Sequence, residues 1–173
     1  MDIVEEGYRA AIEKAKEYNG KISELSAEAV GETGTLLRKM AELARPIVPK
    51  AGLQMMIRGK QDGKGEIYDT IYFDQKYLLL GKTEPMPYRP DDMERKVDNQ
   101  YLVLGQDGIF YELMYSADGF MIDSYQREIS PDDIIDLYGF DIVVMLYKAI
   151  EEYVSDQKGL VDALEKVIAF IRN

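Results

Sequence analysis

The chain of 173 residues contains no cysteine, no histidine and no tryptophan. Without cysteine there is no disulfide bond, no thiolate nucleophile and no cysteine-bound metal. Without histidine the sequence lacks the commonest metal ligand and the side chain most often used as a general base near neutral pH. These absences remove most familiar catalytic sites, and they favour a non-enzymatic protein with no cofactor and no metal.

Nucleotide-binding motifs and long apolar runs are also lacking. The glycines of 31–34 and 59–65 do not have the strand–loop–helix setting of a phosphate-binding loop. The longest apolar runs, such as 142–147, are far shorter than the ~20 residues that cross a bilayer. Acidic residues occupy positions 2, 5 and 6, where a secretory leader would be basic. The sequence therefore predicts a soluble, cytoplasmic protein that does not enter a membrane.

Acidic residues outnumber basic ones by 32 to 21, and the excess lies in the second half of the chain. Residues 107–156 contain twelve aspartates and glutamates but only Arg127 and Lys148 as bases. Such a field repels nucleic acid and anionic membranes and attracts a basic protein partner. The same charge would also keep the protein soluble without any partner, so both interpretations stay open.

Hydrophobic spacing predicts a single α+β domain over residues 1–173, with helices at both ends and a sheet between them. Two N-terminal helices are expected within residues 1–45, separated near Asn19-Gly20. Six short apolar runs over residues 53–126, separated by turn signals that include Asp74-Gln75 and the tight-hairpin pair Asp107-Gly108, predict a six-stranded, mostly antiparallel sheet arranged as two three-stranded meanders. Residues 131–171 are predicted to be helical and to pack on the sheet, with Ser130 as the first N-cap.

Two of the predicted strands share a pattern. Residues 74–82 read DQKYLLLGK and residues 98–106 read DNQYLVLGQ, with five of nine positions identical. A competing alignment matches residues 65–80 with 108–123, so the two registers conflict and a true duplication of the meanders stays open. Both strands are apolar on both faces, which predicts a central position in the sheet with cover on each side.

A long connection, residues 83–97, separates these strands and contains three prolines. Long connections without regular structure are uncommon in compact domains, so both a functional loop and a disordered spacer are considered. Three carboxylates in it could hold Mg²⁺ through water, but the basic side chains beside them favour a solvated, charged loop. These carboxylates are Asp91, Asp92 and Glu94.

The predicted function is therefore a non-enzymatic protein-interaction module. It would bind a protein partner, either a basic protein or a second copy of the chain, through the acidic second half or a tyrosine-lined sheet face. The candidate interaction residues are Tyr68, Tyr72, Tyr88, Arg89, Asp91, Asp92, Tyr111 and Tyr115. The alternative is a small-molecule binding module with an apolar pocket between helices and sheet, gated by residues 83–97.

Overall fold

A computed structural model describes the backbone of residues 3–84 and 86–172, and their side chains except at 3–7, 10 and 172. These residues form an α+β fold in which an antiparallel five-stranded sheet closes into a barrel between N-terminal and C-terminal helices. The helices are α1 (Ile3–Ala44), α2 (Val48–Ala51), α3 (Pro131–Tyr138) and α4 (Asp141–Arg172). The strands are β1 (Leu53–Gln61), β2 (Ile67–Thr83), β3 (Asn99–Gly105), β4 (Phe110–Asp118) and β5 (Met121–Glu128).

The N-terminal region is one continuous helix of 42 residues, so the predicted break near Asn19-Gly20 is wrong. No proline lies within α1, and a glycine costs a helix interior only about 1 kcal/mol, which neighbouring helix formers outweigh. Gly34 also has a packing role. A Cβ atom at this position would lie 1.9 Å from Oδ1 of Asp132, so glycine lets the start of α3 approach α1 closely.

The sheet has five strands among the described residues rather than six, because β2 runs for 17 residues through the predicted turn at Asp74-Gln75. β2 pairs with β1 from Ile67 to Tyr77 and with β3 from Tyr77 to Thr83. β5 returns to pair antiparallel with β1, as in the pair Gly59↔Ile122. All five neighbouring pairs in the barrel are antiparallel, but an odd number of straight strands cannot alternate in direction around a closed ring. The long strand β2 must therefore bend, so that one part runs antiparallel to β1 and the other part antiparallel to β3. The two predicted meanders are therefore parts of one barrel, and that part of the prediction is wrong.

The hairpin turns and the start of α3 follow the predicted local chemistry. Asp107 accepts a hydrogen bond from the Ile109 N–H at 3.0 Å, and Gly108 has a φ of 85°. At the start of α3, Ser130 Oγ accepts from the Asp133 N–H at 3.1 Å. This N-cap confirms the predicted beginning of the C-terminal helical region.

The two similar strands are β2 and β3, neighbours whose faces are both covered, as their pattern predicts, except at Leu79 of β2, which is 38% exposed. One face packs against α1, α3 and α4, and the other faces the barrel interior. The side chains of these strands on the helix face are Leu78, Leu80, Leu102 and Leu104. Those inside the barrel are Tyr77 and Val103, which pack with Leu113 of β4.

Candidate interaction site

The connection between β2 and β3 has a fixed position on the barrel. Tyr88 is only 2% exposed and packs with Val97, Met114 and Tyr125. The Arg95 guanidinium carbon lies 4.7 Å from the centroid of the Tyr88 ring, which holds the far end of the loop on the same aromatic side chain. Tyr88, a predicted interaction residue, therefore anchors the loop to β4 and β5.

The other predicted residues of this loop form a small charged group at the surface. Nε of Arg89 lies 3.2 Å from Oδ1 of Asp91, and its Nη2 lies 4.0 Å from Oδ2 of Asp92. Within the described part of the chain, no group of three or more acidic residues is placed to hold a metal ion. Asp91 and Asp92 thus form ion pairs with the guanidinium group of Arg89.

Of the four candidate tyrosines of the strands, Tyr72 and Tyr115 line the same cavity of the barrel, whereas Tyr68 and Tyr111 do not. Tyr68 and Tyr72 are exposed on β2, whereas Tyr111 and Tyr115 turn into the barrel and pack around Tyr77. Burial raises the pKa of Tyr115 to about 12. Closure of the barrel therefore brings Tyr72 of β2 and Tyr115 of β4 to the same cavity and leaves Tyr68 outside it.

A buried carboxylate that the sequence analysis missed lies on the helix side of the barrel. Glu112 is 0% exposed, and its Oε2 accepts from Arg127 Nε at 2.8 Å. Its Oε1 accepts from the Tyr138 hydroxyl and from Gln100 Nε2, the latter at 3.3 Å. Gln100 in turn accepts from the Met86 N–H at 2.8 Å. The network joins β3, β4, β5, α3 and the long connection, so part of the acidic excess is structural.

The sequence does contain a sign of this network. Glu112 alternates with Phe110 and Met114 on one face of β4, and both neighbours are buried. A charged residue inside an apolar face needs a partner, since an unpaired buried charge is strongly destabilising. The partner itself, Arg127, comes from the next strand and could not be identified without the register of the sheet.

Two helical segments extend beyond the core and form the largest exposed apolar feature of the described chain. The α1 arm is defined as residues 8–28 and the α4 arm as residues 154–171. Every described side chain in both arms is exposed. The prediction that the C-terminal helical region packs on the sheet therefore holds for α3 and for the first part of α4, around Ile142 and Leu146, but not for the α4 arm.

Both arms carry an apolar seam with alternating steps of three and four residues, the spacing of a coiled coil. In the α1 arm the seam consists of Tyr8, Ala11, Ala15, Tyr18, Ile22 and Leu25. In the α4 arm it consists of Leu160, Leu164, Val167 and Ile171, preceded by Gln157. At 1.5 Å per residue the arms are about 30 Å and about 27 Å long.

The arms differ in charge. Residues 9–21 of α1 carry four basic and two acidic side chains. Residues 151–166 of α4 carry five acidic and two basic side chains. These two stretches therefore have opposite charge, although the whole α1 arm carries four basic and four acidic side chains and the whole α4 arm two basic and three acidic ones.

Within the described residues, no helix combines the length and the apolar character needed to cross a lipid bilayer. The α4 arm in particular has charged residues between its apolar positions. No protein-family model matches the chain, and neither a curated protein nor a solved structure matches it.

Proposed function

We propose that the chain is a cytoplasmic, non-enzymatic protein-interaction module that binds a second copy of itself through its two arms. The observation that carries the proposal is the exposure of two continuous coiled-coil seams, one on each arm. Most of the stability of a helix in a protein comes from packing its apolar face, and an isolated helix of moderate length is marginal in water. The arms need a partner that covers their seams.

The charge of the arms favours a second copy as that partner. The positive stretch, residues 9–21 of α1, and the negative stretch, residues 151–166 of α4, belong to the same chain. In a twofold dimer each α1 arm can pair with the α4 arm of the other chain, because a residue pair occurs twice in an isologous interface. Opposite charges beside the seams then lie across the interface and select the pairing.

The apolar contribution is large enough for a stable dimer. Burying a large apolar side chain contributes about 1.5–3 kcal/mol. Each chain offers six such side chains: Tyr18, Ile22, Leu25, Leu160, Leu164 and Val167. Twelve in a dimer exceed the cost of association, which is estimated at about 4–15 kcal/mol.

The test is the mass of the protein in solution, measured by light scattering during size-exclusion chromatography. The wild-type chain is expected at twice the 19.8 kDa of one chain. A variant with Ile22→Glu and Leu164→Glu, one charge in each seam, is expected at the mass of one chain, because a charge cannot be buried in the seam without a partner.

A matched control places the same charges on the opposite side of each arm. Ala27 and Ala169 are exposed in the same two helices but lie outside the seams. A variant with Ala27→Glu and Ala169→Glu is expected to remain a dimer. A wild-type chain that is monomeric at micromolar concentrations, or a seam variant that stays dimeric, would contradict the proposal. Co-purification of the wild-type monomer with a different helical protein would assign the arms to that partner instead.

A further inference from the structure

One side of the barrel carries an open cavity of about 410 Å³ that the dimer proposal does not use, and several of its lining residues, Leu53, Ile67, Tyr72 and Leu79, are partly exposed to solvent. All five strands contribute to its wall, through residues such as Met55, Leu79, Tyr101, Tyr115 and Ile122. Leu79 lies on the interior face of β2, since its neighbours Leu78 and Leu80 pack against the helices. The cavity therefore opens on the barrel side of the sheet, away from α1 and α4.

The wall of this cavity is uncharged. Among the described residues, the side chains that line the cavity are aliphatic, thioether, tyrosine or amide groups. Charged residues are absent from this lining, although they make up 31% of the whole sequence. The polar groups are the tyrosine hydroxyls and the amides of Gln54 and Asn99. An ionic ligand would lose its hydration here without gaining an opposite charge, so the chemistry selects a neutral molecule.

The aromatic side of the cavity is held in place by its own contacts. The rings of Tyr101 and Tyr115 meet edge to face, with centroids 6.0 Å apart and an interplanar angle of 73°. Tyr115 also packs in the same apolar cluster as Met56 on β1. Leu79, at 38% exposed, lies between two leucines that are 6% and 8% exposed. A preformed wall of this kind limits the ordering cost of binding.

We infer that this cavity is a binding site for a small, neutral, apolar molecule with an aromatic or branched aliphatic body. A cavity of ~150 Å³ holds benzene, so this one accepts a body of about two rings. Its volume also lies within the range of ligand pockets, about 300–1,000 Å³. The inference is independent of dimer formation.

The test uses the neutral dye N-phenyl-1-naphthylamine, whose fluorescence rises in apolar surroundings, in titrations of the full chain. Saturable binding of one dye per chain is expected. Leu79→Trp fills the cavity, and it is expected to raise the dissociation constant about tenfold or more, or about 1.4 kcal/mol. Leu43→Trp places the same side chain on the exposed surface of α1 and is expected to leave binding unchanged.

Two further variants keep the inference falsifiable. If circular dichroism shows that Leu79→Trp lowers the helix and strand content, Leu53→Arg serves as the cavity variant instead. Leu53 lines the cavity but is exposed, so a charge is tolerated there by the fold. The seam variant with Ile22→Glu and Leu164→Glu is expected to bind the dye as the wild type does. Absence of saturable binding, insensitivity to both cavity variants, or loss of binding in the seam variant alone would overturn the inference. The last outcome would place the dye on the arms.

Discussion

Arg127 donates from Nε to the carboxylate of Glu112 at 2.8 Å, although Glu112 is completely buried and the Arg127 side chain is 40% exposed. The guanidinium thus covers a carboxylate that has no contact with water. The Tyr138 hydroxyl and the Gln100 amide complete its hydrogen bonds. Both carboxylate oxygens of Glu112 accept hydrogen bonds from side chains of the same chain. We therefore interpret Glu112 as a structural residue whose hydrogen-bond network fixes the barrel, α3 and the long connection to one another.

Removing the guanidinium is expected to leave a buried charge without its partner. Arg127→Ala should lower the free energy of unfolding by about 3 kcal/mol, as measured by urea denaturation. The control is Arg58→Ala, which removes an exposed arginine 2.9 Å from Asp123 and should cost less than about 1 kcal/mol. Equal losses in the two variants would show that Glu112 does not depend on its partner.

Asp98 is expected to make stability depend on pH in the acid range. Its Oδ2 accepts from the Ala117 N–H at 2.7 Å, and this bond, with Lys96 beside it, lowers the pKa of Asp98. The charged form therefore stabilises the fold above the unfolded pKa of about 3.9, and that contribution is lost as pH falls through the lower folded pKa.

The measurement is a comparison of Asp98→Asn with the wild type by urea denaturation at several pH values. At neutral pH the variant should be less stable by about 1 kcal/mol, and the difference should shrink below about pH 4. A difference that stays constant from neutral to acid pH would mean that the charge of Asp98 does not contribute.

Asp69 occupies a backbone conformation that favours glycine, with a φ of 50° in a bulge of β2 opposite β1. Asp69→Gly should be more stable than Asp69→Ala by about 1 kcal/mol, although both remove the carboxylate that pairs with Lys60. At Asp74, an exposed position of β2 outside this conformation, the order should reverse. Thermal unfolding of the four variants tests both statements.

Local chemistry could be read from the sequence. Asp107-Gly108 predicts a tight hairpin and Ser130 predicts a helix start, because both depend on residues within three positions of each other. The apolar pattern of β2 and β3 likewise predicts cover on both faces. The wrong predictions concern Gly20 and Asp74-Gln75, where residues common in stops and turns lie inside long elements.

Features that depend on distant strands could not be predicted. Tyr111 and Tyr115 lie inside because β5 closes on β1, and Glu112 meets Arg127 only in the register of β4 and β5. The stripe on α4 is visible in the sequence, but the sequence does not show that the core ends near residue 153. The cavity around Leu79 depends on the same closure of the barrel.

Hydrogen exchange of the backbone amides in residues 8–28 tests the central claim most directly. If a second copy covers the α1 arm, these amides should exchange slowly at high protein concentration and faster on dilution, because the dimer dissociates by mass action. In the variant with Ile22→Glu and Leu164→Glu they should exchange fast at every concentration. Fast exchange of the wild-type arm at all concentrations, or slow exchange that persists in the seam variant, would contradict the account.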